Sequence, residues 1–200
     1  MRTKYSLINI VAGVGGHLLN MVLSFISRMV FIRYLAAAYL GVNGLFSDIL
    51  GMLNLAELGI GSAMIFSMYK PAEEDNREEL GRLMNLYRML YRIVAEFVLV
   101  VGLALLPFLD VLIKGDSGIE NLRIIYLVYL GNSVCSYLLS YKNSILLAYQ
   151  KAYVKTVIEQ LLRTMQMILQ IVVLALTGNF LLYLALQIGT LMMTNAVVAF

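Results

Sequence analysis

Among the formal charges inside otherwise apolar stretches of this chain are Arg28, Asp48, Glu57, Arg92, Glu96, Lys142, Glu159 and Arg163. A charge placed in hydrocarbon costs free energy unless it is paired or faces water. Each therefore has two readings, a structural ion pair or a group on the wall of a water-filled cavity. Arg92 with Glu96 and Glu159 with Arg163 have the i, i+4 spacing of an in-helix pair. Arg28, Glu57 and Lys142 have no opposite charge three or four residues away, so each needs a partner on another helix or a cavity to face. Arg28 and Lys142 stand near helix ends and can snorkel towards water, which leaves Asp48 and Glu57 as the deeper charges.

The uncharged polar residues fall into seams when projected at about 100° per residue. Asn9, Gly13, Gly16, Asn20, Ser24 and Ser27 share one side of a first helix, with His17 and Arg28 along its edge. Asn43, Ser47, Asn54, Glu57 and Gly61 do the same in a second, and Asn132, Ser136, Ser140 and Asn143 in a fourth. Glu159, Arg163, Gln166, Gln170 and Thr177 mark a fifth helix, and Gln187, Thr190 and Thr194 a sixth. The third differs, with Arg88, Arg92 and Glu96 near one end and apolar residues from there to Pro107. Gly and Ser permit close helix approach and Asn or Gln can hydrogen-bond across helices, so a seam is either packing or a cavity wall. The residues expected on a cavity wall are Asn20, Arg28, Asp48, Asn54, Glu57, Arg92, Glu159, Arg163 and Gln166.

Catalytic chemistry finds no support. There is no phosphate loop, zincin motif, nucleophile elbow or aspartate cluster suited to magnesium. One cysteine, Cys135, and one histidine, His17, are too few for a disulfide framework or a structural zinc site. No cofactor and no enzymatic activity are expected. His17 reads as a hydrogen-bonded packing residue, and the 12 methionines and 13 tyrosines as gap fillers and interface residues.

The elements that must carry these residues follow from composition. Of 200 residues 61% are hydrophobic and 14% charged, and the mean hydropathy is +0.83. Soluble chains average about 45–50% apolar and about 25% charged, so the excess must face lipid. The net charge of +3 is spread singly between apolar runs, which gives no clustered basic face for nucleic acid. Apolar segments at about 5–34, 40–68, 86–113, 122–148, 154–177 and 180–200 each approach the ~20 residues needed to cross hydrocarbon. The first is too long for the ~7–15-residue core of a cleavable signal. The expectation is an all-α polytopic membrane protein of six helices, in one bundle over 1–200.

With a cytoplasmic N-terminus, Arg2, Lys4, Lys70, Arg77, Arg82, Lys151 and Lys155 lie inside and Arg33, Lys114 and Arg123 outside, which is the positive-inside asymmetry. Lys70–Glu79 reads as a cytoplasmic hairpin that begins where Pro71 stops the preceding helix. Lys114–Gly118 and Thr177–Asn179 read as short outer turns. The last helix runs to Ala199 and Phe200 with no basic flank, so the chain is expected to be a fragment of a longer protein.

Four stretches carry a resemblance: Tyr39-Leu-Gly-Val-Asn-Gly-Leu-Phe46, Leu55-Ala-Glu-Leu-Gly-Ile-Gly61, Tyr69-Lys-Pro71 and Leu83-Met-Asn-Leu-Tyr87. Together, with a weaker likeness over Tyr141–Lys151, they make the chain resemble the Wzx-like oligosaccharide and polysaccharide flippases. These belong to the multidrug, oligosaccharidyl-lipid and polysaccharide exporter superfamily. The resemblance implies the N-terminal bundle of a MATE-like transporter in a bacterial plasma membrane, working with a C-terminal half by alternating access. It implies as substrate a sugar linked through pyrophosphate to a polyprenol. Cationic side chains in the cavity would offer its oxygens charge-assisted hydrogen bonds, Arg28 first, then Arg163 and Arg92. Glu57 would bind a coupling cation, H+ or Na+, or brace the helix beside its glycines. Two other readings stand beside this one: an ion-coupled exporter of small cations, in which Asp48 and Glu57 matter more, and a non-transporting membrane scaffold.

Overall fold

The computed structural model describes residues 2–53, 57, 59–113, 119, 121–150 and 152–199. Side chains are described within those spans from residue 18 onward, except at 19, 36, 110, 111, 140, 152, 198 and 199. The described residues are helical apart from turns: α1 (Arg2–Leu53), α2 (Ile60–Glu73), α3 (Arg77–Leu105), the short α4 (Leu109–Leu112), α5 (Leu122–Ser140), α6 (Ser144–Ala148), α7 (Ala152–Thr177) and α8 (Phe180–Ala199). Single 3-10 turns at Leu106–Phe108 and Tyr141–Asn143 extend α3 and α5.

Among the described residues, four helical segments, Arg77–Phe108, Leu122–Ala148, Tyr153–Thr177 and Phe180–Val197, are long and apolar enough to cross a membrane. Ala37–Leu53 is an apolar stretch within the longer α1. Within the apolar windows of the four, no more than 28% of residues are buried inside the protein. Most of their apolar surface therefore points outward, as lipid-facing helices require.

The helix break expected between residues 34 and 40 does not appear as a loop, because α1 is helical throughout. Leu35, Ala36, Ala37 and Ala38 are strong helix formers with no Gly or Pro among them. The chain nevertheless folds back there. Thr164 donates to Asn20 at 3.3 Å and Ser24 to the Met167 sulfur at 4.0 Å, so the first part of α1 runs parallel to α7. Later, Phe46 packs on Tyr126 and Tyr129, and Glu57 reaches Tyr91, which packs on Tyr137. The second part thus advances along α5 in α5's own direction. α5 in turn runs parallel to α8, since Asn143 donates to Asn195, and α8 is antiparallel to α7 across the link Gly178-Asn179. Phe31 and Tyr39, on either side of the fold-back, both set their rings edge-on to Phe180.

Two further expectations are corrected. Pro71 lies inside α2, which continues to Glu73; so close to the helix end its missing N–H costs one hydrogen bond and the chain can still turn over Glu74 to Asn76. The third helix starts at Arg77, nine residues before the expected 86. Its first turns are amphipathic, with Leu80 buried, and a search for apolar runs passes over such turns. Asn76 caps it by accepting from the Glu79 N–H at 3.1 Å, and Asp75 takes the left-handed conformation (φ 48°) that the tight reversal needs. At the other hairpin Gly178 (φ 59°) supplies the same geometry, and Asn179 accepts from the N–H groups of Leu181 and Leu182 at 2.9 and 3.2 Å. Lys114–Gly118 lies outside the described residues.

Candidate functional site

A polar cavity of about 780 Å³ lies among α1, α5, α7 and α8. Both parts of α1 line it, Ser24, Ser27, Arg28 and Phe31 from the first and Leu40, Asn43, Gly44 and Ser47 from the second. A straight helix would hold Ser24 and Ser47 about 35 Å apart at 1.5 Å per residue, so the fold-back of α1 is what builds this wall. α7 contributes Glu159, Arg163, Gln166, Met167 and Gln170; α8 contributes Tyr183, Gln187, Thr190, Leu191 and Thr194; and α5 contributes Asn132. Each helix presents its polar seam here because residues three and four apart share a face.

The cavity's electrostatics are set by three charges. Arg28 and Arg163 make no ion pair among the described residues, and both are exposed to the open space. Glu159 takes Lys155 as its partner at 3.6 Å instead of Arg163, so the expected Glu159–Arg163 pair is not formed. Both are i, i+4 arrangements; Lys155, one turn earlier on α7, reaches forward to Glu159, although isolated helices favour the acid-first order of Glu159 and Arg163. The uncharged residues are partly committed. Gln166 donates to Gln170 at 3.4 Å, Gln170 donates to the Tyr183 carbonyl at 3.0 Å, and Tyr129 donates to Asn43. Asn132 keeps a buried side-chain oxygen with no hydrogen-bond partner among the described residues. Two free guanidiniums plus amide and hydroxyl groups make a surface able to bind an anionic, hydroxyl-rich group.

A second cavity, of about 470 Å³, lies where α2, α3, α5 and α6 meet. Here Tyr87 donates to Tyr91 at 3.1 Å and Tyr91 donates to Glu57. Gly61 makes room for this chain, since a Cβ there would stand 2.7 Å from the Glu57 carboxylate and 2.9 Å from the Tyr91 hydroxyl. Ser136, Asn143, Ser144 and Lys155 complete the walls.

Of the residues expected on one wall, Arg28, Glu159, Arg163 and Gln166 meet in the large cavity. Asn20 stands one turn before Ser24 and receives Thr164. Glu57 belongs to the second cavity, and Arg92 to an outer groove on α3 with Arg88 and Glu96. Arg92 and Glu96 are not ion-paired among the described residues, which corrects a second expected pair. Asp48 is exposed and lines neither cavity. Asn54, and the side chain of His17, lie outside the described residues. The tyrosines were read as interface residues, yet Tyr91, Tyr126 and Tyr129 are buried and hydrogen-bonded between helices. The i, i+4 spacing of Tyr87 and Tyr91 on the face of α3 that also carries Val94 and Val98 was the available signal. Comparison with protein-family models, curated proteins and solved structures finds no match to this chain.

Proposed function

We propose that the chain is the N-terminal bundle of a Wzx-like flippase, which moves a polyprenyl-pyrophosphate-linked oligosaccharide across the bacterial plasma membrane by alternating access. In this reading residues 5–34, 40–73, 77–108, 122–148, 152–177 and 180–199 are six spans, and the N-terminus is cytoplasmic. The observation that carries it is the pairing of Arg28 and Arg163, neither tied up in an ion pair among the described residues, on the walls of one polar cavity. A pyrophosphate carries the charge those guanidiniums lack as partners, and Gln166, Gln187, Asn132 and Thr190 suit sugar hydroxyls. A C-terminal half of the same protein supplies the facing wall, since repeated bundles related by an axis along the membrane normal bind substrate between them.

The test is export of surface polysaccharide by cells whose full gene carries Arg28→Ala, Arg163→Ala or both. A charge-assisted hydrogen bond contributes about 1.5–3 kcal/mol, so each single change should weaken export roughly ten- to hundredfold with the protein still in the membrane. Normal export by the double variant would overturn the reading. Export of small cations under ion coupling is the weaker alternative: it needs acidic groups in the cavity, and Glu159 is held by Lys155 while Asp48 and Glu57 lie elsewhere. A drug-resistance profile conferred by the full gene would favour it.

A further inference from the structure

Away from both cavities, the outer face of α3 carries a groove of about 420 Å³ lined by Asn85, Arg88, Met89, Arg92, Ile93 and Glu96. We infer that this groove binds the headgroup of an anionic phospholipid in the leaflet at the Arg77 end of α3. The inference requires only that α3 cross the membrane and stands whether or not the chain is a flippase.

Depth comes first. If the hydrocarbon-spanning part of α3 ends at Phe108, ~20 residues of span begin near Met89. Arg88 is then at the interface and Arg92 one turn inside it, within snorkelling reach. The next cation outward on α3, Arg82, nearly two turns from Arg88, is already neutralised, because it binds Glu78 at 2.8 Å and sits 3.7 Å from Glu79. Arg88 and Arg92 make no ion pair among the described residues, although Glu96 stands one turn on. They lie above a strip that must touch lipid: Met89, Ile93 and Phe97 are 59%, 53% and 50% exposed. Two free guanidiniums at headgroup level over bare hydrocarbon surface complement a phosphate with acyl chains attached. A free phosphate would use only the upper part.

The occupant is a lipid and not a facing protein bundle because α3 lends no residue to the large cavity. Whatever bundle closes that cavity meets α1, α7 and α8, while α3 packs inward on α2 and α5. Tyr87, Tyr91, Val94 and Val98 are its buried face, opposite the groove.

The experiment titrates phosphatidylglycerol, and separately phosphatidylcholine, into the detergent-solubilised full chain and follows the first bound lipid by native mass spectrometry. Phosphatidylglycerol should bind the more tightly. Arg88→Gln with Arg92→Gln should erase that preference, at roughly fivefold per arginine. Arg82→Gln should leave it intact, and the double lysine variant, Arg88→Lys with Arg92→Lys, should keep most of it, which separates charge from misfolding. Equal affinity for the two lipids, or an undiminished preference in the glutamine variant, overturns the proposal.

Discussion

Glu57 illustrates how one carboxylate is accommodated in an apolar bundle: it receives the Tyr91 hydroxyl, and Tyr91 in turn receives Tyr87. Tyr91 is buried, and its ring also packs edge-on against Tyr87 and Tyr137. Tyr91→Phe keeps that packing and deletes the donor, so it isolates the hydrogen bond. An acceptor left without its partner costs about 1–3 kcal/mol. The thermal unfolding midpoint of the detergent-solubilised protein should fall, whereas Tyr69→Phe, on the exposed side of α2, should leave it within error. Equal midpoints for the two variants would mean that Glu57 has another donor. Gly102 poses the complementary case. Its carbonyl accepts from Tyr126 at 2.8 Å, and a Cβ there would run into the Leu130 side chain. Gly102→Ala should therefore destabilise by about 1–3 kcal/mol through overpacking, unless Leu130 is shortened at the same time; Leu130→Ala should recover part of the loss in the double variant, and no recovery would place the strain elsewhere.

At the scale of elements, the two hairpins are held by short local devices. Asn179 caps α8 through two backbone N–H groups, and Gly178 supplies the left-handed residue before it. Asn179→Ala removes the cap at a cost of about 0.5–2 kcal/mol. Its effect should show as faster hydrogen exchange at Leu181 and Leu182 before any change at Leu184, which is buried one turn on; uniform exchange along α8 would contradict a local cap. The same scale explains what was legible beforehand. Glu159, Arg163, Gln166 and Gln170 of α7, and Gln187, Thr190 and Thr194 of α8, reach one cavity as their spacing implies, because each helix is continuous and rotation accumulates evenly. The second seam splits, with Asn43 and Ser47 in one cavity and Glu57 and Gly61 in another. The described helices are bounded at Leu53 and at Ile60, with Gly59 in the left-handed conformation (φ 82°) before the second, so one helical phase cannot be projected from α1 into α2. Ion pairs were the least legible feature. Spacing named Glu159–Arg163 and Arg92–Glu96, but spacing does not weigh competitors, and Lys155 takes Glu159.

For the whole molecule the decisive property is whether the large cavity holds water. A non-transporting scaffold would use its polar seams as dry packing, and a transporter needs them wet on at least one side of the membrane. Cys135 is the one cysteine in the sequence, so Cys135→Ser gives a clean background for single cysteines. The thiolate is the reactive species and forms only where water can solvate it. Thr190→Cys, on the cavity wall, should react with a water-soluble methanethiosulfonate reagent in membranes. Phe97→Cys is more open to the outside of the protein, at a half-exposed position of α3, but in a membrane-spanning α3 it would face hydrocarbon and should stay unreacted. Leu130→Cys, buried between helices, should also resist. Exposure alone therefore does not predict the outcome; the solvent at each surface does. Similar rates at Thr190 and Phe97 would remove the wet cavity, and with it the requirement that Arg28 and Arg163 be free for a substrate. A fast Thr190 that slows when the reagent is added from the opposite side of sealed vesicles would show that the cavity opens to one face at a time, which is the property alternating access demands.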